Sequence, residues 1–250
     1  MKAKKLFLKA KSKLGNTIGK FFNLFSLNYF SLHDSLVHLF FGEVSLEPLV
    51  FYLPQELNND LLETISASKL VTFDQEYNEK NNEQFSEEII RKINDNLIFF
   101  KIEKHWVFEK VIEFVRNAIK LPIKSPFVII NFRGWISKPK SEKFGPNSLH
   151  KDGFERGHLK LMIYPNGLNL ENGMLEVDGK LYSDTGPGFC VLFHNSDLIH
   201  RGIPGQLNNR ISLEITLFRS LVGNKRINYY GKPSDRHYKR ISSYYKGVLF

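Results

Sequence analysis

His150, Asp152 and His200 are the residues of this chain best suited to hold a metal ion, and Arg210 and Ser212 follow the second histidine at ten and twelve residues. Two imidazoles and one carboxylate fill one face of an octahedral ion and leave positions open for a substrate or dioxygen, the donor set that suits non-haem Fe(II). Arg-x-Ser adds a planar fork for a carboxylate and a hydroxyl beside it. The same letters would also arise from a surface His–Asp pair, a core histidine satisfied by hydrogen bonds and an Arg210–Glu214 ion pair. The elements that carry these residues decide between the two readings.

Before Pro122 the chain reads as helical. Leu57, Leu61, Leu62 and Ile65 repeat at helical spacing over 54–66. Ser86 caps a second helix with Glu87 and Glu88 in its first turn, and Ile89, Ile90, Ile93 and Leu97 form its apolar side. A third spans 104–120 and stops at Pro122. Residues 74–84 form a loop.

After Pro122 the texture changes to strands and turns. Strands are expected over 127–133, 158–164, 174–181 with a tight turn at Asp178-Gly179, 189–193, 198–202 and 210–218. Residues 137–148, with Pro139, Gly145 and Pro146, read as a mobile loop. Short strands spaced in this way make a sandwich or barrel. In extended chain, residues i and i+2 point the same way. His150 and Asp152 then reach one ion from one strand end, and Arg210 and Ser212 share a face. The expectation is an α+β chain: a mainly helical region over 1–122, a barrel over 123–222 and a basic tail over 223–250.

The 250 residues carry a net charge of +9, concentrated at the ends. Residues 1–33 hold seven lysines and no acid, and residues 219–250 hold eight Lys or Arg against Asp235 alone. Such ends suit an anionic partner, or simply a solvated surface. A basic amphipathic helix over about 3–25 would lie on an anionic membrane or pack on its own domain. Lys9, Lys11 and Lys13 interrupt the first apolar stretch and argue against an export signal. No apolar run is long enough to span a bilayer. The single Cys190 fits a reducing, cytoplasmic setting and lies in an apolar strand, as a small core residue does. No nucleophile elbow, phosphate loop or cysteine-based zinc motif is present. His194 is an alternative ligand to His200, but no arginine follows it at the right distance. His158 reads as a surface residue or an outer partner of the site. Tyr164 and Lys160 lie on one strand as candidate co-substrate contacts, and Arg133 is a candidate for an anionic substrate.

His-x-Asp…His with Arg-x-Ser ten residues on resembles the Fe(II)/2-oxoglutarate-dependent dioxygenase superfamily. Gly157-His158-Leu159-Lys160-Leu161-Met162-Ile163-Tyr164, Glu171-Asn172-Gly173 and His200-Arg201-Gly202 look most like its phytanoyl-CoA-hydroxylase-like branch. The resemblance covers residues 127–220. It implies a double-stranded β-helix, that is, a jelly-roll or cupin-like core. It further implies Fe(II) on His150, Asp152 and His200, 2-oxoglutarate held by Arg210 and Ser212, and O2 as oxidant. Halogenating relatives carry a small residue where Asp152 stands, so hydroxylation is the expected outcome. The basic ends point to a small or lipid-linked anionic substrate, containing a sugar or phosphate. Two alternatives stay open. One is a nucleic-acid-modifying dioxygenase, although Arg219 follows Arg210 at a spacing that departs from the alkylation-repair pattern. The other is a non-catalytic cupin-like binding module.

Overall fold

A computed structural model describes residues 29–45, 47–73, 87–100, 105–142, 145–152, 158–221 and 227–229. The expected 3–25 helix, the 74–84 loop, the Ser86 cap and most of the basic tail lie outside these residues. In chain order the elements are α1 (Tyr29–Phe41), β1 (Leu49–Tyr52), α2 (Gln55–Ala67), β2 (Leu70–Val71), α3 (Glu87–Asn96), β3 (Leu97–Phe100), α4 (Trp106–Ile123) and β4 (Phe127–Ser137). There follow β5 (His158–Tyr164), β6 (Gly173–Val177), β7 (Lys180–Tyr182), β8 (Phe189–Phe193), β9 (His200–Pro204), β10 (Arg210–Arg219) and β11 (Ile227–Tyr229).

Two antiparallel sheets face each other. The larger runs β1-β8-β5-β10-β4-β3-β2, with β11 added in parallel to β4, and the smaller runs β7-β6-β9. Next to β9, His150 pairs with His200 as an isolated bridge and supplies a fourth edge to the small sheet. From β4 onward the chain crosses repeatedly between the sheets, so that β4, β10, β5 and β8 are neighbours on one side while 150, β9, β6 and β7 are neighbours on the other. That is a jelly-roll-like path.

Period-two alternation sorts each strand between two cores. On β5, Leu159, Leu161 and Ile163 join Leu213, Ile215 and Leu217 of β10 against Leu61 and Ile65 of α2 and Val107, Val111, Val115 and Ile119 of α4. Met162 and Tyr164 point the other way, toward Leu175, Val177, Phe189, Val191 and Phe193 between the sheets. A helical layer therefore backs the large sheet, and the site lies on that sheet's opposite face. Cys190 is fully buried on the helical side, and burial pushes its thiol pKa well up. The Asp178-Gly179 turn has φ of 51° and 77°, the left-handed pair that a two-residue hairpin of this type requires.

Three boundaries differ from the sequence reading. The second helix stops at Asn96, because Leu97-Ile98-Phe99-Phe100 pairs with β4 as a strand. The third continues through Pro122 to Ile123 and closes at Lys124, whose φ is 56°. A proline in the last turn removes one backbone donor without ending the helix before it. Described residues of the region expected as a mobile loop are held in place: β4 runs on to Ser137, Lys140 N–H donates to Gly205 O at 2.9 Å, and Asn147 is buried in a short 3-10 turn over Gly145–Asn147. Among the described residues, no helix is long and apolar enough to cross a membrane.

Candidate metal centre and its cavity

Residue 150 and residue 200 are held opposite each other by the backbone. His150 N–H donates to His200 O at 3.0 Å, and His200 N–H donates back to His150 O at 2.8 Å. Two residues on, Asp152 N–H donates to Asn195 O at 3.0 Å. This short paired stretch turns His150 and Asp152 to the same side, as their spacing implied. The three ligand atoms lie within 4.8 Å of one another. His150 Nε2 is 3.5 Å from Asp152 Oδ1, and His200 Nε2 is 3.7 Å from Asp152 Oδ2.

The protons are placed for metal binding. His150 Nδ1 lies 2.7 Å from Ser148 O and His200 Nδ1 lies 3.0 Å from Leu198 O. A carbonyl only accepts, so each Nδ1 carries a proton, and Nε2 is the ring atom that faces Asp152 and is free to turn to an ion. Burial, with Lys160 nearby, lowers the His200 pKa to about 4, so its imidazole is neutral near pH 7. Burial alone would raise the Asp152 pKa. Lys160, a hydrogen bond from His150 and His200 overcome that and hold its carboxyl well below the usual range. Asn195 Nδ2 donates to Asp152 Oδ2 at 3.0 Å and fixes the carboxylate from outside. These three side chains fit a divalent ion in donor type, spacing and outer hydrogen bonds.

Beside them opens a cavity of about 710 Å³. Arg210, Ser212 and Glu214 line it from β10, Lys160, Met162 and Tyr164 from β5, and Arg133 and Trp135 from β4, each set at the alternating positions of its strand. Arg210 is 2% exposed. Its Nη1 donates to Met174 O at 2.9 Å and Ile203 O at 2.8 Å, and its Nη2 to Ser137 Oγ at 3.2 Å and Asn147 Oδ1 at 3.1 Å. All four acceptors are neutral. Among the described residues no carboxylate is within ion-pair reach of Arg210; Glu214, its expected alternative partner, takes both forks of Arg133 at 3.0 Å instead. A buried cation with only neutral partners carries an uncompensated charge, which an anion entering the cavity would offset. Arg210 Nε, Ser212 Oγ and Trp135 Nε1 are buried without a hydrogen-bond partner, and all three residues border this cavity.

Of the residues singled out from sequence, His150, Asp152, His200, Arg210, Ser212, Tyr164, Lys160 and Arg133 all meet here. Tyr164 is buried, and burial raises its pKa to about 12, so its hydroxyl stays neutral. His194 is not in the ligand group; its Nδ1 lies 3.8 Å from Asp197. His158 packs on Phe218 at 4.9 Å between ring centroids, outside the cavity lining. The sequence reading missed Trp135 as a lining group and Asn147 as an acceptor behind Arg210, and assigned Glu214 no place in a site. Trp135 and Glu214 continue the i, i+2 series from Arg133 and from Arg210-Ser212, a signal present in the letters. Asn147 sits in a turn that no periodicity marks.

Solved structures to which the chain is similar include a Pseudomonas putida prolyl-4-hydroxylase (16% identity, 70% of this chain and 91% of that one, TM-score 0.43). HygX from Streptomyces hygroscopicus with nickel and 2-oxoglutarate bound is 11% identical over 72% of this chain and 85% of its own, at a TM-score of 0.45. The non-haem α-ketoglutarate-dependent epimerase SnoN from nogalamycin biosynthesis is 10% identical over 69% and 77%, at 0.48. No family model and no curated protein matches the chain. At these identities and scores, the case for any chemistry rests on this chain's own side chains.

Proposed function

We propose that this chain is an Fe(II)- and 2-oxoglutarate-dependent oxygenase that hydroxylates an anionic small or lipid-linked molecule. The observation that carries the reading is one cavity holding both a preformed His-Asp-His ligand group and a buried arginine without an anionic partner. His150, Asp152 and His200 hold the ion. Arg210, Ser212 and Tyr164, with the indole N–H of Trp135, receive the keto acid. An iron and keto acid held there would supply activation of dioxygen for attack on a C–H bond, while the protein orients and shields.

Charge supports the substrate class. Arg133, Lys160 and Arg210 face Asp152 and Glu214 in the cavity, a surplus of one positive charge. A divalent ion raises that surplus to three and a dicarboxylate returns it to one, which favours a further anion. Placement in the phytanoyl-CoA-hydroxylase-like branch rests on the Gly157–Tyr164 and His200-Arg201-Gly202 stretches. A cytoplasmic site of action, with residues 1–25 on an anionic membrane surface, is part of the same proposal; its support is the seven lysines and no acid of residues 1–33.

Anaerobic titration with Fe(II) and then 2-oxoglutarate tests the assignment. A weak visible charge-transfer band is expected in the wild type and is expected to fade in Arg210→Ala at low co-substrate. No band in the wild type would sink the reading. Gly202→Ala gives a finer check, because a Cβ there would lie 2.3 Å from Arg210 Nη2 and force the guanidinium off its acceptors. Loss of one charged hydrogen bond predicts 2-oxoglutarate binding weaker by about tenfold or more, with metal affinity little changed. Equal losses of both would show general damage instead.

A further inference from the structure

Lys160 holds a position among the ligands that the proposed reaction does not explain. It projects from β5 at the level where Thr216 and Phe193 flank it, and only 5% of it is exposed. Its ammonium contacts Asp152 Oδ2, lies 3.2 Å from His200 Nε2 and stands 3.5 Å from Glu214 Oε2. An ammonium only donates, so the lone pair of His200 Nε2 accepts from Lys160. A metal ion needs that same lone pair and the same carboxylate, and it repels the ammonium. Both cations cannot share these atoms.

We propose that Lys160 is a resident cation of the ligand cluster, holding Asp152 and His200 together until a divalent ion displaces its ammonium toward Glu214. This rests on the metal-centre reading above. Glu214 suits the receiving role. It is 1% exposed, already faces Lys160, and its carboxylate, though paired with Arg133, has lone pairs for a second donor. Lysine's flexible four-carbon stem allows such a swing, where a planar guanidinium would lock bidentately on the carboxylate. The consequence is a lowered metal affinity: each binding event breaks an ion pair that the metal-free protein already makes.

The test uses Co(II) alone, without co-substrate, titrated into the full chain and read by calorimetry and by the shift of the thermal midpoint. Lys160→Met keeps the apolar stem and removes the charge. It is expected to bind Co(II) tighter than wild type by on the order of tenfold or more, and to gain a larger thermal shift from the metal because its metal-free state has lost a pair. Glu214→Gln is expected to bind Co(II) more weakly, since the displaced ammonium loses its receiving charge. In the double variant the Glu214→Gln penalty is expected to disappear. A merely structural lysine gives the opposite sign, with weaker binding in Lys160→Met as the ligands lose order. If wild type binds Co(II) in a His200-dependent way and Lys160→Met binds no tighter, the metal centre stands and the role of Lys160 is wrong. If neither protein binds Co(II), the metal centre fails and this proposal fails with it. Should Glu214→Gln unfold, the comparison of wild type with Lys160→Met still decides.

Discussion

His200→Ala is expected to weaken divalent-metal binding by more than about a hundredfold while leaving the chain folded. Loss of an outer-shell partner alone typically costs 10–100-fold, and here the ligand itself is removed from a set of three. The structural cost is contained. The ring gives up an edge contact with Phe193 at 4.9 Å, the hydrogen bond to Leu198 O and the one it accepts from Lys160 at 3.2 Å. Its backbone bridge to His150 is untouched by the substitution. A loss of about 1–3 kcal/mol of stability is the expected scale. Anaerobic calorimetry with Co(II), beside thermal unfolding of the metal-free protein, separates the two effects. Wild-type metal affinity in this variant would remove His200 from the site and the oxygenase assignment with it.

Arg210→Met is expected to weaken 2-oxoglutarate binding by about two orders of magnitude, because hydrogen bonds to a charged group contribute about 1.5–3 kcal/mol each. The metal-free protein should also lose stability, by about 2–4 kcal/mol. Removing the guanidinium takes a charged donor from Met174 O, Ile203 O, Ser137 Oγ and Asn147 Oδ1, and that outweighs the relief of burying one fewer charge. Arg210→Lys is the sharper variant. Three N–H donors cannot serve four acceptors and an incoming carboxylate, so lysine should restore little co-substrate binding despite equal charge. Equilibrium dialysis of the keto acid in the presence of an inert divalent metal reads this directly. Near-wild-type binding in Arg210→Lys would mean that charge alone, not the fork, recruits the anion.

Much of the site was legible in the letters because its residues follow strand periodicity. His150 with Asp152 and Arg210 with Ser212 each lie two apart, and extended chain turns such pairs to one side. The same rule, carried two residues further, reaches Glu214 and Trp135. The network around Arg210 was not legible. Its acceptors are two backbone carbonyls, a serine at the end of β4 and an asparagine in a 3-10 turn, and backbone acceptors leave no mark in sequence. Nor did the pattern separate helix from strand at Leu97. A short apolar run after a helix satisfies both periods, and only its pairing with Ile136 and Ser137 settles it as strand. The strands at 49–52 and 70–71 are four and two residues long, too brief to establish an alternation.

Part of the cavity's wall comes from a different stretch of the chain than the ligands. Phe73, Ile93, Leu97 and Phe99 line one side, all encoded well before the first ligand at residue 150. Swaps ahead of residue 100 would therefore reshape one wall, and with it the range of molecules accommodated, while the polar groups between Arg133 and Glu214 stayed as they were. Divergence among close homologues should then concentrate in the earlier stretch.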